Sequence, residues 1–408
     1  MHDRPSIAAE ASHALRRHVV DPLLRHGIDT AYGGFLVDLD DRWQPDGPQD
    51  KSLEHAARTT IVFALLAGAF PGEGLERLVR HGCDFLQQAM WDDVHGGFYA
   101  RVDRAGGALW DGLKHPHGVT YAGRAFQLGA PFLQAGEGWR WAERAQSWLD
   151  EVARDRHHGG YWGSYRRDNT LYPDGARLPT PDGRDVNGLV PGFKEINTQG
   201  DALELLIGFA EPDPAGVWGE RACALAELIG GRLMQPGGVL PFRYLQDWRC
   251  APDLVRPGQS FQMAHRFLDL AAMLPLPAAV SRAAALVDFC LTCGRHPAGG
   301  FCFATTADGR AWPATGPATD IRQWWVQIEA LHALDGLARR AAIDPDARRR
   351  YRRECDALWD FVRETFFDEQ YGGIHAMPVE ADVRAPKSHC WKDCSHETFA
   401  FVALRNAD

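Results

Sequence analysis

Six glycine doublets, each followed by large apolar residues, divide the chain at a nearly regular interval. They read Gly33-Gly34-Phe35, Gly96-Gly97-Phe98, Gly159-Gly160-Tyr161, Gly237-Gly238-Val239, Gly299-Gly300-Phe301 and Gly372-Gly373-Ile374, and lie roughly 62 to 78 residues apart. Internal repetition at such a period marks an architecture that stacks one supersecondary unit. A glycine doublet permits a turn that residues with a Cβ resist, and the apolar run after it suits a short strand. Two helical stretches fit between successive doublets. The predicted fold is therefore all-α: an (α/α)6 barrel of six helix pairs with short glycine-marked β-hairpins, inner and outer rings, and a central cavity.

A chain of 408 residues would ordinarily suggest two or three domains. The sixfold period points instead to a single domain over residues 1–408, because no unit buries its apolar face alone. The segment between Gly163 and Val190, rich in Pro, Gly and Asp, reads as a long loop inside the third unit. Net charge is −10 with no basic stripe, which argues against nucleic acid or anionic membrane as partners. The opening Met1–Pro5 has no apolar stretch after it, and no run reaches membrane-spanning length. The nine cysteines include one C-x-x-C, Cys290 with Cys293, and a looser pair, Cys390 with Cys394, where a zinc site would need two such pairs or histidines at ligand spacing. A cytoplasmic protein with reduced thiols is expected.

Counting about 25 residues from each doublet reaches a comparable point near the start of the next helix. These points carry Arg58, Tyr121, Gln262, Trp324 and His396, and the interrupted third unit opens its helix at Asn197 to Glu204. Inner helices of a toroid must be apolar nearly all round, so polar residues at their starts form a convergent pocket. Asp201 with Glu204, Gln259 with Gln262, and His55 with Arg58 are i,i+3 pairs sharing a face. Blander roles exist for each. Asp201 suits a first helical turn through the dipole alone, Glu204 can simply pair with Arg58, and Arg124 with a neighbour. His157-His158 and His115-Pro116-His117 invite a metal reading, but neither has a ligand partner at helical spacing. No Walker loop, G-x-S-x-G or H-E-x-x-H occurs, which removes the usual nucleotide, esterase and zinc-protease readings.

At these residues the chain resembles the N-acylglucosamine 2-epimerase superfamily, which includes mannose isomerases and cellobiose 2-epimerases. The resemblance runs through all six units and rests on the hairpins, Ala57-Arg58, Asn197…Glu204, Pro257-Gly258…Gln262, Trp324-Trp325…Glu329 and Trp391-Lys392…His396. It implies an enzyme for unphosphorylated sugars at the aldose–ketose level, a monomer or homodimer without a cofactor. Members place histidines in the third, fourth and sixth units, as Asn-x-x-Met-His-x-x-Glu-Ala, Gly-His-x-x-Glu and Tyr-His. Here only the sixth is kept, as His396 after Ser395. The third position is Asp201 and the fourth is Gln259, while Glu204 is retained and the fourth unit's glutamate becomes Gln262.

Isomerising or epimerising a free sugar requires removing the proton α to the carbonyl and returning one to C1 or C2. The groups that do so should titrate near working pH, and a donor must steady the enediolate oxygen. The expected catalytic set is His396 as one proton shuttle, Asp201 as another if burial raises its pKa, and Arg58 as the fixed cation. Tyr121, Asn197, Glu204, Gln259, Gln262, Trp324 and Trp391 are the expected carbohydrate-binding residues. His265 and His55 join them as substitutes for the missing imidazoles. Two other functions fit the same cavity. One is glycoside hydrolysis or elimination, using two carboxylates among Asp201, Glu204, Glu329, Asp393 and Glu397. The other is a sugar-binding protein that has lost its chemistry.

Overall fold

The computed structural model describes residues 7–251, 254–274, 276–308, 310, 321–378 and 385–406. The opening Met1–Pro5 segment lies outside them. Among the described residues the chain forms two concentric rings of helices. Each unit begins with an outer helix, turns at a glycine doublet and returns along an inner helix. The outer ring consists of α1 (Ile7–Leu15) continued by α2 (Asp21–His26), then α4 (Glu76–Phe85), α6 (Glu137–Trp148), α8 (Val217–Glu227), α10 (Pro277–Cys293) and α12 (Pro345–Phe366). The inner ring consists of α3 (Leu53–Ala69), α5 (Pro116–Gly129), α7 (Ile196–Ala210), α9 (Pro257–Met273), α11 (Trp324–Arg339) and α13 (Ser395–Arg405). Each inner helix packs on the next, and α13 returns to α3, so the ring closes. The outer face of α13 is covered by α1, joining the two ends of the chain.

The predicted two-layer all-α barrel is the observed fold. Inner helices are buried on nearly every side: in α3 the run Leu53 to Ala64 is buried without a break. Outer helices show one apolar stripe, as in α12, where Tyr351, Cys355, Leu358, Trp359, Val362 and Phe366 face inward. One apolar core runs from Ala11 to Leu404.

The hairpins are shorter than strands proper. Each is a single antiparallel bridge, such as Trp91 with Phe98 or Phe367 with Ile374. All twelve doublet glycines have positive φ. Two consecutive residues in that region make the tight turn whose twist suits a hairpin. Residues just before an inner helix pair with the segment after the next unit's hairpin. Thus β1 (Lys51–Ser52) pairs with β2 (Arg101–Val102), and β3 (Phe193–Glu195) with β4 (Arg243–Leu245). Isolated bridges repeat the link between Lys114 and Tyr165, Val255 and Thr305, and Ser388 and Leu39.

A second repeat, missed in the linear reading, locks these hairpins. Four buried lysines pair with an aspartate at the hairpin's start: Lys51–Asp29 at 3.1 Å, Lys114–Asp92 at 3.0 Å, Lys194–Asp155 at 2.6 Å and Lys387–Asp368 at 2.5 Å. Lys51, Lys114 and Lys194 also donate to the carbonyl of the first doublet glycine, Gly33, Gly96 and Gly159. Paired in this way, a buried charge is tolerated.

Candidate active site

The leading turns of the six inner helices surround a cavity of about 850 Å3. Local caps set where each helix begins. The Ser52 hydroxyl accepts from the His55 N–H at 3.3 Å to start α3, and Glu195 accepts from the Thr198 N–H at 3.0 Å to start α7. Pro116 opens α5 at a position needing no N–H donor. Asp393 accepts from the Ser395 N–H at 2.9 Å, after Cys394 enters the left-handed region at φ 56°.

Arg58, Tyr121, Asn197, Gln259, Gln262, Trp324, Trp391 and His396 all line the cavity. Asp201, Glu204, His265 and His55 do not; they stand behind the wall. The loop between Gly163 and Val190 does shape the mouth, through Thr180 to Gly188.

Arg58 and His396 are in direct contact. Arg58 Nη2 lies 2.7 Å from His396 Nε2, its Nε donates to Ser395 Oγ at 3.0 Å, and Asp393 Oδ2 lies 3.1 Å from that Nε. On the other side of the ring, His396 Nδ1 lies 2.5 Å from Glu329 Oε1. An arginine can only donate and a carboxylate can only accept. The two partners therefore assign the tautomer: Nδ1 carries the proton and Nε2 presents its lone pair. Glu329 also holds His265 Nε2 at 3.0 Å and accepts from Gln262 Nε2 at 3.2 Å. Burial would raise the Glu329 carboxyl, but His265 and His396 hold it well below the usual range. His265 is lowered by burial, yet its hydrogen bonds to carboxylates raise it to about 9.

Asp201 behaves differently from the proton shuttle expected. Burial alone would raise its carboxyl, but the guanidinium of Arg266 and the imidazole of His117, at 3.1 Å from Oδ2, hold it below the ordinary value. It is a held anion, unsuited to exchanging protons near neutral pH. Glu204 pairs with Arg266 at 3.3 Å and Arg124 at 3.5 Å rather than with Arg58. His55 is buried against Ser388 Oγ at 3.1 Å, and burial pushes it down to about 4.

Three residues central to this arrangement escaped the linear reading: His117, Glu54 and Arg266. His117 Nδ1 lies 3.4 Å from Glu54 Oε1, and both residues line the cavity. Its ring packs edge-on against Tyr121 at 5.2 Å, and Tyr121 in turn lies 5.4 Å beneath the Arg58 guanidinium. The available signal was spacing. Glu54 stands four residues before Arg58, His117 four before Tyr121 and Arg266 four after Gln262, each on the face already singled out. His265, Glu329 and His332 bring ligand atoms within 4.8 Å of one another, the one such group among the described residues. The two Glu329 oxygens serve His265 and His396, and the His332 ring stacks on His265 at 4.4 Å.

A family model described as N-acylglucosamine 2-epimerase (GlcNAc 2-epimerase) matches residues 33–139 and 186–392, well over half of the chain. The chain belongs to the N-acylglucosamine 2-epimerase family. It is accordingly a carbohydrate enzyme of the epimerase and isomerase class. Solved structures share the fold. Cellobiose 2-epimerase from Bacillus thermoamylovorans B4167 is 16% identical over 98% of both chains, with a TM-score of 0.85. A D-mannose isomerase is 18% identical over 99% of both, with a TM-score of 0.84. An α-1,6-mannanase from Salegentibacter sp. HEL1_6 is more distant, 11% identical over 98% of this chain and 99% of its own, with a TM-score of 0.64. Between its two matched stretches, the family model leaves unmatched a segment of this N-acylglucosamine 2-epimerase family member that holds most of the Gly163–Val190 loop.

Proposed function

We propose that this enzyme moves the C2 proton of a free, unphosphorylated aldose through an enediolate, with His396 as base and Arg58 as the cation at O1. The observation that carries this reading is the tautomer of His396. With Nδ1–H bound to Glu329, Nε2 accepts from Arg58 Nη2 in a wall of the cavity, and its lone pair turns to the C2 proton when the sugar's O1 takes over that donor. His396 takes the C2 proton, the C–H electron pair becomes the C1–C2 π bond, and the carbonyl pair moves onto O1. Arg58 balances the charge there, while Glu329 steadies the imidazolium that forms. Trp110, Trp324, Trp325 and Trp391 line the cavity and offer flat apolar faces to the sugar.

Hydrolysis has less support. None of Asp201, Glu204, Glu329, Asp393 and Glu397 lines the cavity. Four of them are tied to arginines or imidazoles, and Glu397 is buried with Lys392 Nζ at 4.0 Å. A glycosidase needs two carboxyls across the scissile bond; those that do line the cavity are Glu54, which faces His117, and Asp182 and Asp185 of the mouth loop, the latter facing His115. For quaternary state and location, the reading is a cytoplasmic monomer or homodimer; the nine free thiols agree with a reducing compartment.

The test is incubation with glucose, mannose and cellobiose in deuterated water, followed by NMR. Deuterium at C2 and a new sugar are expected. No exchange and no product with any aldose would overturn the reading.

A further inference from the structure

We propose that His117 is the second proton-transfer residue of this enzyme, acting on the face of the enediolate opposite His396, so that the reaction is a 2-epimerisation. This rests on the enediolate reading above. The first support is position. His117 on α5 lines the cavity, and Asp201 of the neighbouring helix α7, behind the wall, anchors it, with Oδ2 3.1 Å from His117 Nε2.

The second support is charge. His117 is 2% exposed and sits between two carboxylates, Asp201 from α7 and Glu54 from α3. Arg58 on α3, Tyr121 on α5 and Arg266 on α9 complete its charged and titratable surroundings, with His115 just before α5 and Glu195 just before α7. Burial alone would lower its pKa, but the hydrogen bonds to Asp201 and Glu54 push it up to about 10. The resting imidazole is therefore proton-loaded. His396, facing a guanidinium, presents a lone pair. One imidazole with an accepting nitrogen and one with both nitrogens protonated, in the walls of one cavity with Arg58 and Tyr121 between them, are what transfer across a carbon requires.

The third support is the inequality of the two His117 contacts. The Nε2 contact to Asp201 is 3.1 Å, whereas Nδ1 is 3.4 Å from Glu54, which itself lines the cavity. The Nδ1 proton is thus the one on the cavity side, since Glu54 lines the cavity and Asp201 does not. It passes to C2 as the C1–C2 π pair forms the new C–H bond and O1 returns its charge to the carbonyl. His117 is left neutral with Nε2–H on Asp201. Water then takes the proton from His396 and restores one to His117.

The experiment compares wild type, His117→Gln and His396→Gln in deuterated water, scoring C2 exchange and epimer formation separately. His117→Gln is expected to lose epimer formation by about 10²–10⁴-fold while still exchanging C2 of the aldose that His396 deprotonates. His396→Gln should lose both exchange and epimer formation, because the proton-loaded His117 has no lone pair with which to start abstraction. Epimerisation by His117→Gln within a few-fold of wild type, or ketose as the main wild-type product, overturns the inference and leaves the enediolate reading intact. A wild type that exchanges no aldose removes both. Should His117→Gln fail to fold by circular dichroism, Asp201→Asn decides by the same split between exchange and product. There Asp201 is a positioning residue, and retained exchange without epimer supports the inference; unchanged epimerisation refutes it.

Discussion

His396 is useful as a base only because neighbours on both of its nitrogens choose its tautomer. Glu329→Gln removes the anion that fixes Nδ1–H and stabilises the developing imidazolium. The expected result is a fall in kcat of about 10²-fold or more with little change in KM, read by steady-state kinetics. Arg58→Lys is not conservative here, since Arg58 reaches Ser395 and His396 from separate nitrogens of one planar group. It is expected to lower kcat/KM by about 10²–10³-fold; activity within a few-fold of wild type would remove Arg58 from the mechanism. Both residues were legible in the chain, Arg58 and His396 as repeat-equivalent polar positions. What could not be read was which carboxylate each would meet. Glu329 comes from α11 and Asp393 from the turn before α13, and pairing across a ring leaves no mark on local sequence.

Among the hairpins, the two glycines of a doublet are not equivalent. A Cβ at Gly96 would meet Trp91 at an ordinary 3.7 Å, so Gly96→Ala has only its φ of 70° against it and is expected to cost about 1–2 kcal/mol. At Gly97 the Cβ would come within 2.4 Å of Trp148 Nε1, in addition to the φ of 79°. Gly97→Ala should cost about 2–4 kcal/mol, measured by urea unfolding; equal costs would show that Trp148 yields freely. The aspartates of the lysine pairs give the hairpins a pH signature. Burial would raise Asp29 and Asp92, but Arg104 with Lys51, and Lys114 with Arg167, lower both to about 2. A depressed carboxyl stabilises the fold above its unfolded value near 4 and loses that contribution as pH falls toward 2. Asp92→Asn should therefore lower Tm at pH 7 yet flatten the Tm profile between about pH 4 and 2. Glycines could be seen in the sequence because turn geometry is local; the Lys–Asp repeat could not, because its partners lie 19 to 39 residues apart and the spacing varies with loop length.

The closed ring places an unusual demand on the first helix. Ala11, Ala14 and Leu15 of α1 are buried in the core that also holds Phe401 and Leu404 of α13, and Glu10 binds Trp359 and Arg363 of α12. Deleting residues 1–26 would leave α13 without its cover, and the product is expected to be aggregated or to bind ANS as a loosely packed state. A soluble, cooperatively melting deletion variant would contradict the importance of that seam. One continuous core further leads us to expect a single calorimetric transition for the full chain, and two resolved transitions would argue for separable units.

Period, turn chemistry and apolar pattern are properties of neighbouring residues, and they were enough to specify six helix pairs, a toroid and a mouth rimmed by the inner-helix starts. The same reasoning located Arg58, Tyr121, Gln262, Trp324 and His396 in that mouth. Folding alone decided the proton inventory. It set Asp201 against Arg266 and His117, put His265 behind Glu329, and carried His117 from an unremarkable His-Pro-His run into the cavity wall. The physical reason is that a pKa, a tautomer and an ion pair depend on distance through space in a medium of low dielectric. Those distances exist only once distant helices have closed into a ring.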